Sequence, residues 1–368
     1  MDKHTKNNLI YKILIILLAV LLIALLVNSN KKNSDEAADY DCSEGYRELI
    51  KNVKYKKDLT YVIGHESPDS DTVSAAIAYA NLLNELGIEA KAVTSAKVNK
   101  ETQYYFDYFG IEAPEILTDA SGKQFVLVDH SEYSQAIDNM KDARIVGIID
   151  HHGIGDVYNS EIIYVRSEPI GSTATLVYQM YKECNVVIDK DIARILLMGL
   201  LSDTDNLTKS NVTKVDEEAY DELIRIGEVD DVDALYTNMR DAYYDYSDLS
   251  SYELLIYDYK EYEVNGITFA LGVLSTKDDE QKKKLTDRVY DALVENYDKL
   301  NVDMVFMKIE NETDDNMYMV AYGDGAVETL DNIYHTYDGN RYFVFDKSMS
   351  RKKKLVPKIT AYLSGTEE

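Results

Sequence analysis

Five short apolar runs set the terms on which this chain can fold: LTYVIG at 59–64, EAKAV at 89–93, QFVLVD at 124–129, RIVGIID at 144–150 and EIIYV at 161–165. Stretches patterned for helices lie between them, among them TVSAAIAYANLLNELG at 72–87 and TQYYFDYFG at 102–110. A strand that faces water on one side alternates apolar with polar residues, whereas a run apolar on both sides must be covered on both. Runs of the second kind, separated by helices, predict an α/β fold built on a parallel sheet with helices on both faces. In such sheets ligands collect beyond the carboxyl ends of the strands, where loops from several strands converge.

Those ends are rich in metal-type donors. His65, Asp69 and Asp71 follow the first run, Asp129 ends the third, and Asp150 ends the fourth, with His151 and His152 next. The helical segment ILLMGLLSDTD at 195–205 delivers Asp203 and Asp205 near its end. A single His or Asp at a strand end is usually a turn or cap residue. Three strand ends carrying them together point to a ligand site. Carboxylates grouped with imidazoles, without thiolates, suit Mn²⁺, Mg²⁺, Fe²⁺ or Co²⁺. His65, Asp69, Asp71, Asp129, His151 and Asp203 are too many for one ion but enough for two if an aspartate bridges them. Asp129, reached from the middle of the sheet, is the expected bridge.

The 368-residue chain is long enough for two domains. After 168–183 and 191–204 the pattern stays helical through Arg225, and the acidic, weakly periodic segment 227–255 marks a boundary. A second α/β unit follows, with strand-like 261–275, helix-like 278–300, strand-like 302–309 and 316–323, and a closing KLVPKITAYL at 354–363.

Taken together, GHESPDSD, LVDH, IIDHHGIGD and LLSDTD resemble the four motifs of the DHH phosphoesterase superfamily. Their order and spacing, with SEPIGSTATLVYQMYKE at 167–183, resemble the manganese-dependent family II inorganic pyrophosphatases. SMSRKKKLVP at 348–357 is similar to the SRKKQ-type motif of their second, DHHA2 domain. The resemblance covers 59–357 and implies a DHH domain over 57–242 and a smaller DHHA2 domain over 243–368. It implies one metal held by His65, Asp69 and Asp129, and another by Asp71, Asp129, His151 and Asp203. His152 would face the substrate, Asp150 would orient its histidine neighbours, and Lys260, Arg351 and Lys352 would clamp phosphates. The cofactors would be two divalent ions, Mn²⁺ foremost with Co²⁺ or Mg²⁺ as alternatives, and a further Mg²⁺ on the substrate. The implied reaction is hydrolysis of pyrophosphate by a hydroxide held between the two metals, gated by closure of the two domains. A homodimer is also implied.

A charge count agrees with this. Four ligand aspartates are balanced by two divalent ions, and Lys260, Arg351 and Lys352 then face a pyrophosphate carrying roughly three to four negative charges. Three positions depart from the usual motifs: Ser67 stands in place of Asn, Gly153 in place of a basic residue, and Lys354 in place of Gln. The extra lysine keeps an exopolyphosphatase acting on short polyphosphates as an alternative. A membrane-tethered phosphate-binding module without turnover is another. The nuclease branch of the superfamily carries a GGGH-type motif, and GDGA at 323–326 lacks its histidine.

The N-terminus stands apart. An apolar run at 13–27 follows a lysine-bearing head and reaches about 22 Å as a helix. With Lys12 snorkelling, this predicts a single-pass transmembrane anchor over 1–32 in contact with the lipid bilayer, favoured over a cleaved signal peptide of the same layout because LLVNSNKK after the run lacks a small-x-small cleavage site. The slight lysine excess ahead of the run places the body outside the cytoplasm, and 33–56 reads as a linker. The balance of 39 Lys+Arg against 66 Asp+Glu gives a net charge of -27, which disfavours nucleic acid as a partner. The basic runs KYKK at 54–57 and KKK at 282–284 read as solvated surface. Cys42 and Cys184 show no metal-finger spacing and read as inert.

Overall fold

The computed structural model describes residues 42–56, 59–158, 161–337 and 339–366. They fall into two units parted between Tyr236 and Thr237, a little before the expected boundary at 242. Among the described residues no helix is long and apolar enough to cross a membrane, and the expected anchor at 1–32 lies outside them.

The first unit opens with helix α1 (Cys42–Lys51), within the segment expected to be a linker. Arg47 explains why it docks. Its Nε donates to Cys184 O at 2.5 Å and its Nη2 to Asn185 O at 2.9 Å, while Ile50 is buried. Those carbonyls lie where a helix ends, and a cation there meets unsatisfied acceptors and the negative end of the helix dipole. A polar segment can thus be anchored by tertiary contacts that its own pattern does not advertise. Cys184 is buried and free.

Then follow β1 (Thr60–Ile63), α2 (Ser70–Glu85), β2 (Ala90–Thr94), α3 (Lys100–Phe109), β3 (Glu115–Ile116), β4 (Gln124–Val128), β5 (Arg144–Asp150) and β6 (Tyr164–Ser167). Helices α4 (Thr173–Glu183), α5 (Lys190–Asp203) and α6 (Lys214–Gly227) complete the unit, and α7 (Val232–Tyr243) spans the division. The six strands pair in the order β3-β2-β1-β4-β5-β6, all parallel. Every residue of β4 is buried, and every residue of β5 after Arg144, so the centre of the sheet is covered on both sides. The chain leaves β1 to one side for β2 and later returns to its other side as β4. Connections therefore diverge at β1 and β4 and open a crevice past their carboxyl ends.

The second unit holds α8 (Ser251–Leu255), β7 (Tyr259–Val264), β8 (Ile267–Thr276), α9 (Asp279–Asn296), β9 (Met304–Asn311), β10 (Asn316–Gly323), α10 (Ala326–Tyr334) and β11 (Phe343–Phe345), then a π-helical turn Arg351–Leu355 running into α11 (Val356–Ser364). Its five strands pair in the order β11-β10-β9-β8-β7, with only β8 and β9 parallel. The stretch read as one strand-like run at 261–275 is a hairpin. Asn265 and Gly266 both take left-handed backbone (φ 52° and 78°), as a two-residue turn matched to strand twist requires. Val289 and Leu293 of α9 pack with Leu274 and Val305 in one cluster, while Leu330 and Ile359 pack with Phe269 and Phe306 in another.

The run 282–284 needs a correction. Lys283 and Lys284 are exposed, but Lys282 is buried. Its ammonium pairs with Asp279 at 2.7 Å and with Asn316, and lies 4.2 Å from the centre of the Tyr318 ring. A buried ammonium is tolerated when it is paired and set over an aromatic face.

Candidate metal centre

The donors converge because the strand ends do. Asp69 is the N-cap of α2 and accepts from Thr72 N, so one helix start fixes both the cap and the adjacent Asp71. His65 Nε2 lies 3.2 Å from Asp69 Oδ2 and 3.6 Å from Asp129 Oδ2. His151 Nε2 lies 3.1 Å from Asp203 Oδ2 and 3.5 Å from Asp129 Oδ1. His65, Asp69 and Asp129 form one group of donor atoms within 4.8 Å of one another, and Asp71, His151 and Asp203 form a second. Asp129 also groups with His151 and His152, so its carboxylate faces both. All six residues singled out as metal ligands are brought together.

Asp129 is held in an unusual way. Its backbone is left-handed (φ 62°), and its N–H donates to Ile149 O at 2.8 Å. Thr72 Oγ1 donates to its Oδ2 at 2.6 Å and Thr173 Oγ1 to its Oδ1 at 2.8 Å, so each carboxylate oxygen is aimed by a hydroxyl. Asp71 is aimed from α4, accepting from Thr173 N at 2.7 Å and Ala174 N at 2.8 Å. Gly64 makes room for Thr72: a Cβ there would fall 2.0 Å from Thr72 Cγ2.

The donor set suits cations. Burial raises the pKa of Asp129, and Asp69 and Asp203 raise it further; burial, Asp129 and Asp203 do the same to Asp71. Crowded carboxylates of this kind ionise together only when positive charge joins them. His151 Nδ1 donates to Ile170 O at 2.9 Å, which turns the buried Nε2 toward Asp203 and Asp129. Burial alone would lower the His151 pKa, but the neighbouring Asp203, Asp71 and Asp129 carboxylates raise it to about 10. A divalent ion would take the place of the Nε2 proton between this imidazole and the carboxylates. With N and O donors only, the residues fit Mn²⁺, Co²⁺ or Mg²⁺.

His152 differs from its neighbour. It is more than half exposed, and Asp150 Oδ1 accepts both from its backbone N–H at 3.0 Å and from its ring Nδ1 at 3.1 Å. The carboxylate thus fixes the proton on Nδ1 and leaves Nε2 for another group. Both residues line a cavity of about 370 Å³ with His65, Asp69, Asp129 and Asp203.

The sequence reading passed over three contributors. Thr72 and Thr173 orient the shared carboxylate, and His130 lines the same cavity. His130 Nδ1 donates to Val128 O at 2.9 Å, its Nε2 is buried without a partner, and burial lowers its pKa to about 4, which keeps it neutral. Asp205, by contrast, accepts from Tyr236 and lies in none of the three donor groups. Lys260, Arg351 and Lys352 belong to the second unit. Lys260 is exposed on β7, Lys352 is exposed in the π-helical turn, and Arg351 at the start of that turn bonds to Asp258, just ahead of β7.

Comparison with known proteins agrees with this arrangement. The profile of the DHH family, N-terminal domain, matches residues 59–200, and that of the DHHA2 domain matches 237–362. A manganese-dependent inorganic pyrophosphatase of Bacillus subtilis is 33% identical over 301 residues, covering 81% of this chain and 97% of the relative. One of Methanothrix thermoacetophila is 31% identical over 305 residues, covering 82% and 97%. A Methanococcus jannaschii crystal structure assigned to the family II inorganic pyrophosphatases superposes with a TM-score of 0.60 at 26% identity, covering 83% of this chain and all of that one.

Proposed function

The chain belongs to the manganese-dependent inorganic pyrophosphatases of the DHH–DHHA2 family, and from that premise we propose that it hydrolyses inorganic pyrophosphate to two phosphates. The observation that carries the reading is the Asp129 carboxylate, with His65 near one oxygen, His151 near the other and Asp69 grouped with the first histidine. His65, Asp69 and Asp129 would hold one divalent ion, and Asp71, Asp129, His151 and Asp203 the other. Two such cations would supply the Lewis acidity that activates a water nucleophile and offsets charge on phosphoryl oxygens. The chain's residues do the rest. Asp129 is the carboxylate both sites would share, and Thr72 and Thr173 keep it from rotating. Asp150 keeps the His152 proton on Nδ1, so that Nε2, when protonated, presents an acid to the departing phosphate. Lys260, Arg351 and Lys352 bind phosphate oxygens and stabilise the charge that builds on them.

The apolar run at 13–27 is proposed to tether this activity to a membrane, with the catalytic body outside the cytoplasm. Recovery of the full chain in the soluble fraction after lysis would remove the tether.

The test of the activity is phosphate release by the Mn²⁺-loaded protein from pyrophosphate and tripolyphosphate in parallel. Release from pyrophosphate that Asp129→Asn abolishes is the expected result. Preference for tripolyphosphate would transfer the chain to the polyphosphatases. Bound metal without release from either would leave a phosphate-binding module.

A further inference from the structure

Arg351 is held by one nitrogen. Its Nη1 donates to Asp258 O at 2.9 Å and to Asp258 Oδ1 at 2.8 Å, with Leu271 O a more distant acceptor at 3.5 Å. The Nη1 group has two hydrogens, and Asp258 can accept both. Nε and Nη2 make no hydrogen bond among the described residues. Those two nitrogens form the edge of the guanidinium that meets a phosphate or carboxylate with two parallel bonds. The contact also has a defined place in the fold. Asp258 immediately precedes β7, which carries Lys260, and Leu271 is the β8 residue paired with Lys260. The clamp therefore fixes the first residue of the basic turn to the strand that bears another candidate phosphate ligand.

We infer that Asp258 is the positioning residue of Arg351: it fixes the guanidinium through Nη1 so that the Nε–Nη2 edge is preset as a two-pronged grip for a phosphate group. This rests on the pyrophosphate reading for the identity of the anion. It makes a prediction opposite in sign to simple electrostatics. An aspartate near a phosphate site repels the ligand, so its removal would tighten anion binding if charge alone mattered. If Asp258 instead holds Arg351 in place, its removal weakens binding, because the long side chain then loses rotamer freedom only on meeting the ligand.

The experiment uses the full Mn²⁺-loaded chain and two readouts: calorimetric titration with imidodiphosphate, a diphosphate that resists hydrolysis, and steady-state release of phosphate from pyrophosphate. Asp258→Ala, which removes the carboxylate contact and leaves only the backbone carbonyl to hold Nη1, is expected to weaken imidodiphosphate binding about tenfold and to raise KM similarly, with kcat changing less than about threefold. Asp258→Asn, which keeps both acceptor oxygens, is expected within about threefold of the parent in binding. In an Arg351→Ala background, Asp258→Ala should bring no further loss of affinity, since no guanidinium remains to be held. Arg351→Lys gives a further check that leaves Asp258 in place. It can still reach Asp258 but has no fork, and should bind imidodiphosphate as weakly as Arg351→Ala. Tighter or unchanged binding in Asp258→Ala, or an equal loss with and without Arg351, overturns the inference even if pyrophosphate is hydrolysed. Coupled loss of imidodiphosphate binding in a protein that releases no phosphate from pyrophosphate supports the grip and removes the proposed reaction.

Discussion

At the scale of single residues, the centre depends on keeping one carboxylate in an unfavourable place. A non-glycine residue with left-handed backbone costs about 1–3 kcal/mol unless its surroundings enforce it. Asp129 is enforced by Ile149 O and by two threonine hydroxyls. Groups that orient a metal ligand typically contribute about tenfold to a hundredfold in metal affinity. Thr173→Val keeps the shape and removes the hydroxyl, so Mn²⁺ affinity is expected to fall by about tenfold or more by that measure, read by metal titration with no substrate present. Unchanged affinity would make the hydroxyl incidental. The ligands themselves were legible because each sits where an apolar run stops, a position local pattern can locate. Thr72, Thr173 and His130 were not. Thr72 and Thr173 act on Asp129, 57 and 44 residues away, and no local spacing records such an approach. His130 closes the LVDH motif, but nothing in its spacing marks it as lining the cavity.

At the scale of elements, the centre is a problem of how closely helices approach. Gly199 on α5 lies against α2 and α4: a Cβ there would fall 2.7 Å from Asp71 Oδ1, 2.8 Å from Ser74 Oγ and 2.9 Å from Ala174 Cβ. None of these neighbours is a long flexible side chain that could swing away, so Gly199→Ala must spread the helices. Overpacking of this kind costs about 1–3 kcal/mol. The same shift would carry Asp71 away from Asp203, both of which ride on those helices. A lower melting temperature in the metal-free protein together with weaker Mn²⁺ binding is therefore expected, and a variant as stable as the parent would show that the helices can separate freely. The parallel strands around this contact were legible in the sequence because two-sided burial demands apolar runs without alternation. Elements whose place is set by a distant partner escaped. Helix α1 depends on Arg47 reaching Cys184 O and Asn185 O, and the burial of Lys282 depends on Asp279, Asn316 and the Tyr318 ring. In both cases composition suggested solvent.

For the molecule as a whole, the metal-free centre is a store of charge repulsion, and its sign can be followed through pH. The His151 pKa is raised from an unfolded value near 6.5 to about 10 in the folded protein. Its contribution to stability is fully present below about 6.5 and is lost as pH rises toward 10. Asp71 and Asp129 are also raised in the fold, by burial and by neighbouring carboxylates, so their ionisation on raising pH destabilises the metal-free state as well. All three shifts act in one direction. Metal reverses the preference, because a bound ion requires neutral imidazole and ionised carboxylates and so competes with protons. The melting temperature of the metal-free chain is therefore expected to fall from pH 6.5 to pH 9, while the rise produced by a fixed excess of Mn²⁺ grows over the same interval. At an ion concentration of a hundred times Kd, the added stability would be about 2.7 kcal/mol for one site. Other groups titrate in this range, so the comparison that isolates the centre is His151→Gln, in which both slopes should flatten. A metal-free melting temperature that is level or rises between those pH values, or a slope unchanged by His151→Gln, would mean that the crowding of these carboxylates is relieved by something other than the cations they are arranged to hold.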